Sequence, residues 1–110
     1  MKARRRFGQH FLEPAWIHKV VDAIGPRSSD RFVEIGPGRG ALTLALAPLV
    51  AGLTAIEIDR DLAAGLRPQL PPHATIIEGD VLTLPAGELV PAGTPPRGLR
   101  VAGNLPYSIS

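Results

Sequence analysis

The chain has 110 residues, 45% hydrophobic and 20% charged, with a formal net charge of +2. That describes one small globular domain or a part of a larger one, and the charge alone is too mild to mark a nucleic-acid binder. The lack of cysteine excludes disulfides and thiolate metal sites and is compatible with a reducing compartment, and no apolar run nears the ~20 residues that cross a bilayer.

The charge is unevenly placed. Lys2, Arg4, Arg5 and Arg6 crowd the start with no acid among them, and no secretory core follows. Such a run is either a phosphate-contacting arm or a solvated terminus. Arginine outnumbers lysine ten to two, which suits bidentate phosphate contacts but also fits compositional bias, as do 12 glycines and 12 prolines.

In chain order, "FGQHFL" is a short irregular stretch. "PAWIHKVVDAIG" reads as a helix, with Pro14 in the first turn and Gly25 as the stop. Trp16, Ile17, Val20, Val21 and Ile24 recur at helical spacing and form one apolar face, and His18 lies off it as a surface residue. "RFVEI" is the first strand, "GPGRG" breaks it, and "ALTLALAPLV" is a helix of good formers. "LTAIEI" is the second strand. "RDLAAGLRPQL" is a helix that Pro68 ends or kinks. "ATIIEG" is the third strand, "DVLTLPAGEL" a turn with a short helix, and residues 91–98 a proline-rich loop. "LRVAG" is the fourth strand and leads into "NLPYSIS".

Strands separated by helices or long crossovers predict an α/β fold on a mostly parallel sheet. Such sheets bind ligands at the carboxyl ends of their strands. There the sequence places the glycine loop, Glu57, Asp80 and Asn104 after successive strands.

The first loop, "EIGPGRG", carries Gly36, Gly38 and Gly40. Glycine admits positive φ and lets a ligand approach the backbone. The spacing is one residue short of the dinucleotide fingerprint, which weakens an NAD-dependent oxidoreductase, and no Gly-Lys-Ser/Thr ending points to a nucleoside triphosphate. The loop resembles the nucleoside-binding turn of S-adenosylmethionine methyltransferases. Glu57 follows Gly36 by 21 residues, near the ~20-residue offset of a ribose-binding acid. A carboxylate can accept from both ribose hydroxyls, and inside "AIEI" it is costly without a partner. An exposed strand tip is the plainer alternative. Asp59 and Asp61 suit helix capping and first-turn charge. Asp80 can accept from an adenine amine or simply shape a Gly-Asp turn. Glu34 precedes the glycines, and alternation along the strand does not decide its face. It is a candidate to orient the amine of the cofactor's methionine half.

"NLPY" fits chemistry at an exocyclic amine, or an ordinary turn after an edge strand. Such an amine is a poor nucleophile because its lone pair is delocalised into the ring. Two acceptors about its hydrogens, the Asn104 amide oxygen and a carbonyl at Leu105 or Pro106, would aim that lone pair. Pro106 stiffens the corner and removes a donor. Tyr107 can stack on a base extruded from its helix, worth ~1–3 kcal/mol. No His, Asp and Glu cluster has metal spacing, so metal chemistry is not implied.

Taken together, "FGQHFL", "EIGPGRG", "IEID", "GD" and "NLPY" resemble the ribosomal RNA adenine dimethyltransferases, from Phe7 to Tyr107. Within that family the chain is most similar to the small-subunit branch, which dimethylates two adjacent adenosines near the 3′ end of the RNA. The resemblance implies a Rossmann-like domain that binds S-adenosylmethionine. Residues 1–13 would be a basic arm and cofactor-side segment, and 14–110 a partial methyltransferase domain truncated after its fourth strand. It brings Gln9, His10 and Leu12 beside the cofactor, with Gly36 and Gly38 lining the methionine and ribose. Glu57 would hold the ribose, Asp80 the adenine amine, and Asn104, Leu105, Pro106 and Tyr107 the target base, with Asn104 also near the cofactor. The family usually has asparagine where this chain has His10. The implied setting is a cytoplasmic, monomeric enzyme acting on small-subunit ribosomal RNA in an assembling particle, without membrane or metal.

The alternatives are a large-subunit enzyme of the erythromycin-resistance type, a methyltransferase for an amine in DNA or glutamine, and a non-catalytic RNA-binding assembly factor. The usual strand order would be 3-2-1-4, leaving the fourth strand without an outer neighbour and the isolated 110-residue polypeptide marginally stable.

Overall fold

The computed structural model describes residues 14–91, 94 and 99–103. Helix α1 spans Pro14–Ile24. Gly25 follows it at φ 60° and returns its N–H to the Val21 carbonyl at 2.9 Å. A side chain at that φ would strain the backbone, so glycine is the economical stop. None of the α1 residues is fully buried, and Trp16 is 39% exposed, so the apolar face that the sequence predicts is only half covered among the described residues. His18 is exposed, as expected.

A turn closed by the Arg27 N–H on Asp30 Oδ2 at 2.7 Å leads to strand β1, Arg31–Ile35. Helix α2 covers Ala41–Leu46 and gives way to a 3-10 turn over Ala47–Leu49. The sequence predicts one helix through this stretch. The difference is Pro48, which has no N–H to continue the ladder and whose ring clashes with the preceding turn. Strand β2 is Gly52–Glu57, helix α3 is Arg60–Leu66, and a second 3-10 turn at Arg67–Gln69 contains Pro68. The same clash ends α3. Strand β3 is Ala74–Glu78, helix α4 is the short Ala86–Leu89, and strand β4 is Leu99–Gly103.

The sheet runs β3-β2-β1-β4, and every pairing is parallel. All four strands therefore point their carboxyl ends the same way. The register sets Glu34 level with Ala55 and Ala102, Ile35 level with Gly103, and Glu57 level with Glu78. Among the described residues β4 is an edge, and its Val101 is 64% exposed.

One face of the sheet carries Phe32, Leu53, Ala55, Ala74 and Ile76, packed against Leu46, Ala47, Val50, Ala63 and Leu66 from the helical layer. Burying a side chain such as Phe32, Leu46 or Leu53 contributes ~1.5–3 kcal/mol each. Ile24 of α1 and Ala102 of β4 join the margin of this core. Arg100 fastens that margin. Its guanidinium donates to the Ile24 carbonyl at 2.5 Å, the Gly25 carbonyl at 3.3 Å and Asp30 Oδ2 at 2.9 Å, and lies 5.0 Å from the centre of the Phe32 ring. One planar, permanently charged group thus holds the end of α1, the start of β1 and strand β4. The backbone N–H of Arg27 and the Arg100 charge keep the Asp30 carboxyl below its ordinary value, against the opposing effect of burial.

Candidate functional site

Parallel strands end together, and here the ends of β1, β2 and β3 are laced by hydrogen bonds. The Gly36 N–H donates to the Ile56 carbonyl at 2.9 Å, and the Gly79 N–H donates to the Glu57 carbonyl at 2.8 Å. The chain thus turns off the sheet beside Glu57 on two sides. Glu57 sits on the buried face at the last position of β2 and is 5% exposed. Its Oε1 accepts from the Gly38 N–H at 2.9 Å and its Oε2 from the Asp59 N–H at 3.0 Å. The exposed-tip alternative for this acid is excluded. Each carboxylate oxygen keeps a second lone pair, so the carboxylate can hold the loop and still accept from hydroxyl donors.

The glycine loop has a geometry that side chains resist. Gly38 sits at φ 60° with no atom of the described residues within 4 Å of where a Cβ would stand, so the backbone is open to an approaching ligand. Gly40 sits at φ 89°, and a Cβ there would fall 2.3 Å from Leu66 Cδ1. Gly40 therefore serves the contact between loop and α3, whereas Gly38 leaves room on the open side. The sequence groups these glycines together, and the structure separates their tasks.

Glu34 is fully buried, on the same sheet face as Phe32 and Glu57. Its Oε1 accepts from the Thr43 hydroxyl at 2.5 Å, and its Oε2 has no hydrogen-bond partner among the described residues. Burial pushes its carboxyl up from 4.5 to about 7; the Thr43 hydrogen bond opposes that rise and the neighbouring Glu57 charge adds to it. Sequence reasoning left the face of Glu34 open and missed Thr43 altogether. The available signal is a lone hydroxyl in the apolar run "ALTLAL", one turn into the helix that packs behind a buried acid.

Asp80 follows β3, and its Oδ1 accepts from the Leu82 N–H at 2.9 Å while the Thr83 N–H returns to the Asp80 carbonyl at 2.9 Å. Asp80 thus does shape a turn, and that turn holds its carboxylate at the strand end. Asp59 caps α3 by accepting from the N–H groups of Asp61 at 2.9 Å and Leu62 at 3.0 Å, the task that the sequence predicts for it. Lys2, Arg4, Arg5, Arg6, Gln9, His10, Leu12, Asn104, Leu105, Pro106 and Tyr107 lie outside the described residues. Strand β4 ends at Gly103, level with Ile35 at the end of β1. Among the described residues no group of three or more His, Cys, Asp or Glu is placed to hold a metal ion, and no helix is long and apolar enough to cross a membrane.

The site is thus a row of strand ends with an open glycine turn, one carboxylate clamped by backbone donors and one buried carboxyl with an oxygen unused among the described residues. Comparison with known proteins places the chain in a lineage. The chain is 51% identical to the ribosomal RNA small subunit methyltransferase A of Bordetella pertussis over 99% of its own length and 40% of the relative's. Among solved structures it is similar to the 23S rRNA methyltransferase ErmE, with a TM-score of 0.71 and 30% identity over 88% of this chain and 37% of that one. It is also similar to a dimethyladenosine transferase from Plasmodium falciparum, with a TM-score of 0.67 and 27% identity over 89% of this chain and 34% of that one. The chain spans about 40% of the length of the curated relatives it matches. Its α/β architecture is that of the Rossmann-like methyltransferases. The sequence pattern described as ribosomal RNA adenine dimethylase matches residues 1–110, and the chain belongs to that family.

Proposed function

We propose that the protein transfers methyl groups from S-adenosylmethionine to the N6 amines of two adjacent adenosines near the 3′ end of small-subunit ribosomal RNA. The observation that carries the reading is the pairing of Glu57 with the open Gly38 turn at the joined ends of β1 and β2. The residues suit the cofactor on two further counts. The Gly38 backbone leaves space on its outer side, and Glu34 Oε2 is a buried oxygen without a donor among the described residues, as expected where a cationic amine belongs nearby.

When bound, the cofactor supplies an electrophilic methyl on a sulfonium whose charge disappears as the methyl leaves. The chain's own residues bind and aim. Glu57 accepts from the ribose hydroxyls through its remaining lone pairs, Gly36 and Gly38 line the methionine and ribose, and Asp80 accepts from the adenine amine. Gln9, His10 and Leu12 flank the cofactor. Asn104 with the carbonyls of Leu105 and Pro106 grips the hydrogens of the target amine, and Tyr107 stacks on its ring. Catalysis is then mainly alignment with dipoles set toward the developing charge on the amine. Lys2, Arg4, Arg5 and Arg6 contact RNA phosphates in the assembling particle. The setting is cytoplasmic and the enzyme a monomer.

The likeness to ErmE favours a second reading, methylation of large-subunit RNA. The higher identity to a small-subunit methyltransferase weighs toward the first. Incubating the full-length protein with labelled S-adenosylmethionine and small- or large-subunit particles, then mapping dimethyladenosine, tests both. Label on two adjacent adenosines of the small-subunit RNA is the expected result, and label confined to the large-subunit RNA would replace it with the second reading.

A further inference from the structure

Among the described residues the Glu34 carboxyl is the one buried side-chain group left short of a hydrogen bond. It is completely buried at the next-to-last position of β1. Thr43 satisfies Oε1, and Oε2, shielded from solvent, meets no donor among the described residues. An ionised carboxylate left so is expensive, because a full negative charge has lost its water and gained a single hydrogen bond. A carboxylic acid in the same place costs far less. The charge balance around it points the same way. Glu57 faces it from β2, and Glu78 lies one strand further out on that side of the sheet. Helix α2, which supplies Thr43, has no titratable side chain. On α1, His18, Lys19 and Asp22 are exposed, Arg39 of the glycine loop is exposed, and Arg100 of β4 is engaged by Asp30. No cation among the described residues is hydrogen-bonded to Glu34.

S-adenosylmethionine carries two positive centres, a sulfonium and an ammonium, against one carboxylate. We propose that its binding expels a proton from Glu34, so that the buried acid becomes the counter-charge of the cofactor. The O–H bond of the carboxyl breaks, the proton passes to bulk buffer, and the carboxylate remains with Thr43 on Oε1 and the cofactor's field beside Oε2. Glu34 is in this sense a proton-linked positioning residue. An opposite charge within ~4–6 Å lowers a carboxyl's proton affinity by about one to three powers of ten, which is enough to empty a group whose burial holds its proton into the neutral range. The inference rests on the cofactor reading of the site, and it adds that cofactor affinity rises with pH across the neutral range.

Calorimetric titration of the full-length protein with S-adenosylmethionine, in two buffers of unlike ionisation heat, counts the protons released and involves no methyl transfer. The expected release is roughly half a proton or more per cofactor between pH 6 and 7, fading to nothing by pH 9. In Glu34→Gln the release should vanish while binding persists, which assigns the released proton to Glu34. Binding with no release in the native protein, or an unchanged release in Glu34→Gln, would overturn the proposal. If Glu34→Gln does not fold, Thr43→Val decides. It removes the hydrogen bond that favours ionisation, so the release window should move to higher pH, and an unmoved window would overturn the proposal equally. No binding in any buffer would instead remove the cofactor reading itself, and this inference with it.

Discussion

The backbone N–H of Gly38 donates to Glu57 Oε1 across 2.9 Å and 19 positions of sequence. This single contact joins the loop after β1 to the end of β2, and it couples the shape of the turn to the carboxylate beside it. A change at either residue is therefore felt at the other.

Glu57→Ala removes both acceptors of the loop N–H groups and the acid assigned to the ribose. Loss of one charge-assisted hydrogen bond is worth ~1.5–3 kcal/mol, so S-adenosylmethionine affinity should fall at least about tenfold. RNA affinity should hardly move. Calorimetry for the cofactor and filter binding for the RNA measure the two separately, and unchanged cofactor affinity would refute the assignment.

The two loop glycines should fail differently. Gly40→Ala meets both the positive φ and the buried Leu66, so it should destabilise the fold by about 2–4 kcal/mol in chemical denaturation. Gly38→Ala has only the backbone strain, about 1 kcal/mol, but its methyl enters the open side of the turn. Its cofactor affinity should drop more than its stability.

Stability should depend on pH through Glu34. Its folded value is raised from 4.5 to about 7, so the native state holds its proton more tightly than the unfolded chain does. Between those values the fold carries more protons than the unfolded state, and stability falls as pH rises through the window and levels off above it. The contribution is on the order of 3 kcal/mol, and denaturation of the cofactor-free protein at a series of pH values should lose that slope in Glu34→Gln. Asp30 acts in the opposite sense and elsewhere. Its value is lowered from 3.8, so its contribution is present at neutral pH and lost only in acid below that figure.

Arg100→Ala leaves the end of α1 without its donors and uncovers Phe32. A loss of about 1–3 kcal/mol is expected, since the ion pair to Asp30 is partly exposed and adds little. Arg100→Lys should recover only a fraction, because an ammonium cannot reach three acceptors and lie over a ring at once. Thermal unfolding of the three proteins measures this.

Asn104→Ala should cut methyl transfer by about a hundredfold or more while S-adenosylmethionine binding changes little, because the amide is assigned to the acceptor amine. Single-turnover rates set against calorimetric affinity test the separation, and equal losses in both would count against it.

Much of the architecture is legible in local pattern. "RFVEI" and "LRVAG" become β1 and β4 at the limits that the sequence predicts, and the strand order is the one that the methyltransferase resemblance implies. Helix ends were partly legible. Gly25 and Pro68 end their helices as the sequence predicts, whereas Pro48 converts the last turn of a helix expected to run on to 3-10, an outcome that depends on which carbonyl the ring would strike. Glu57 could be picked out from its offset to the glycines, but not its grip on Gly38, which depends on the loop folding back over β2. Thr43 carried no motif. Its importance arises only because α2 lies across the sheet with that hydroxyl over Glu34.

Sequence alone determined the element types, the glycine turn and the positions of the acids at strand ends, because periodicity, β-branching and glycine act within a few residues. Tertiary structure alone decided that Glu34 is buried with one oxygen unused, that Glu57 is clamped by loop donors, and that Gly40 packs while Gly38 stays open. The physical reason is that desolvation and hydrogen-bond partnership belong to pairs of groups distant along the chain, and only the packed sheet and helices bring those pairs together.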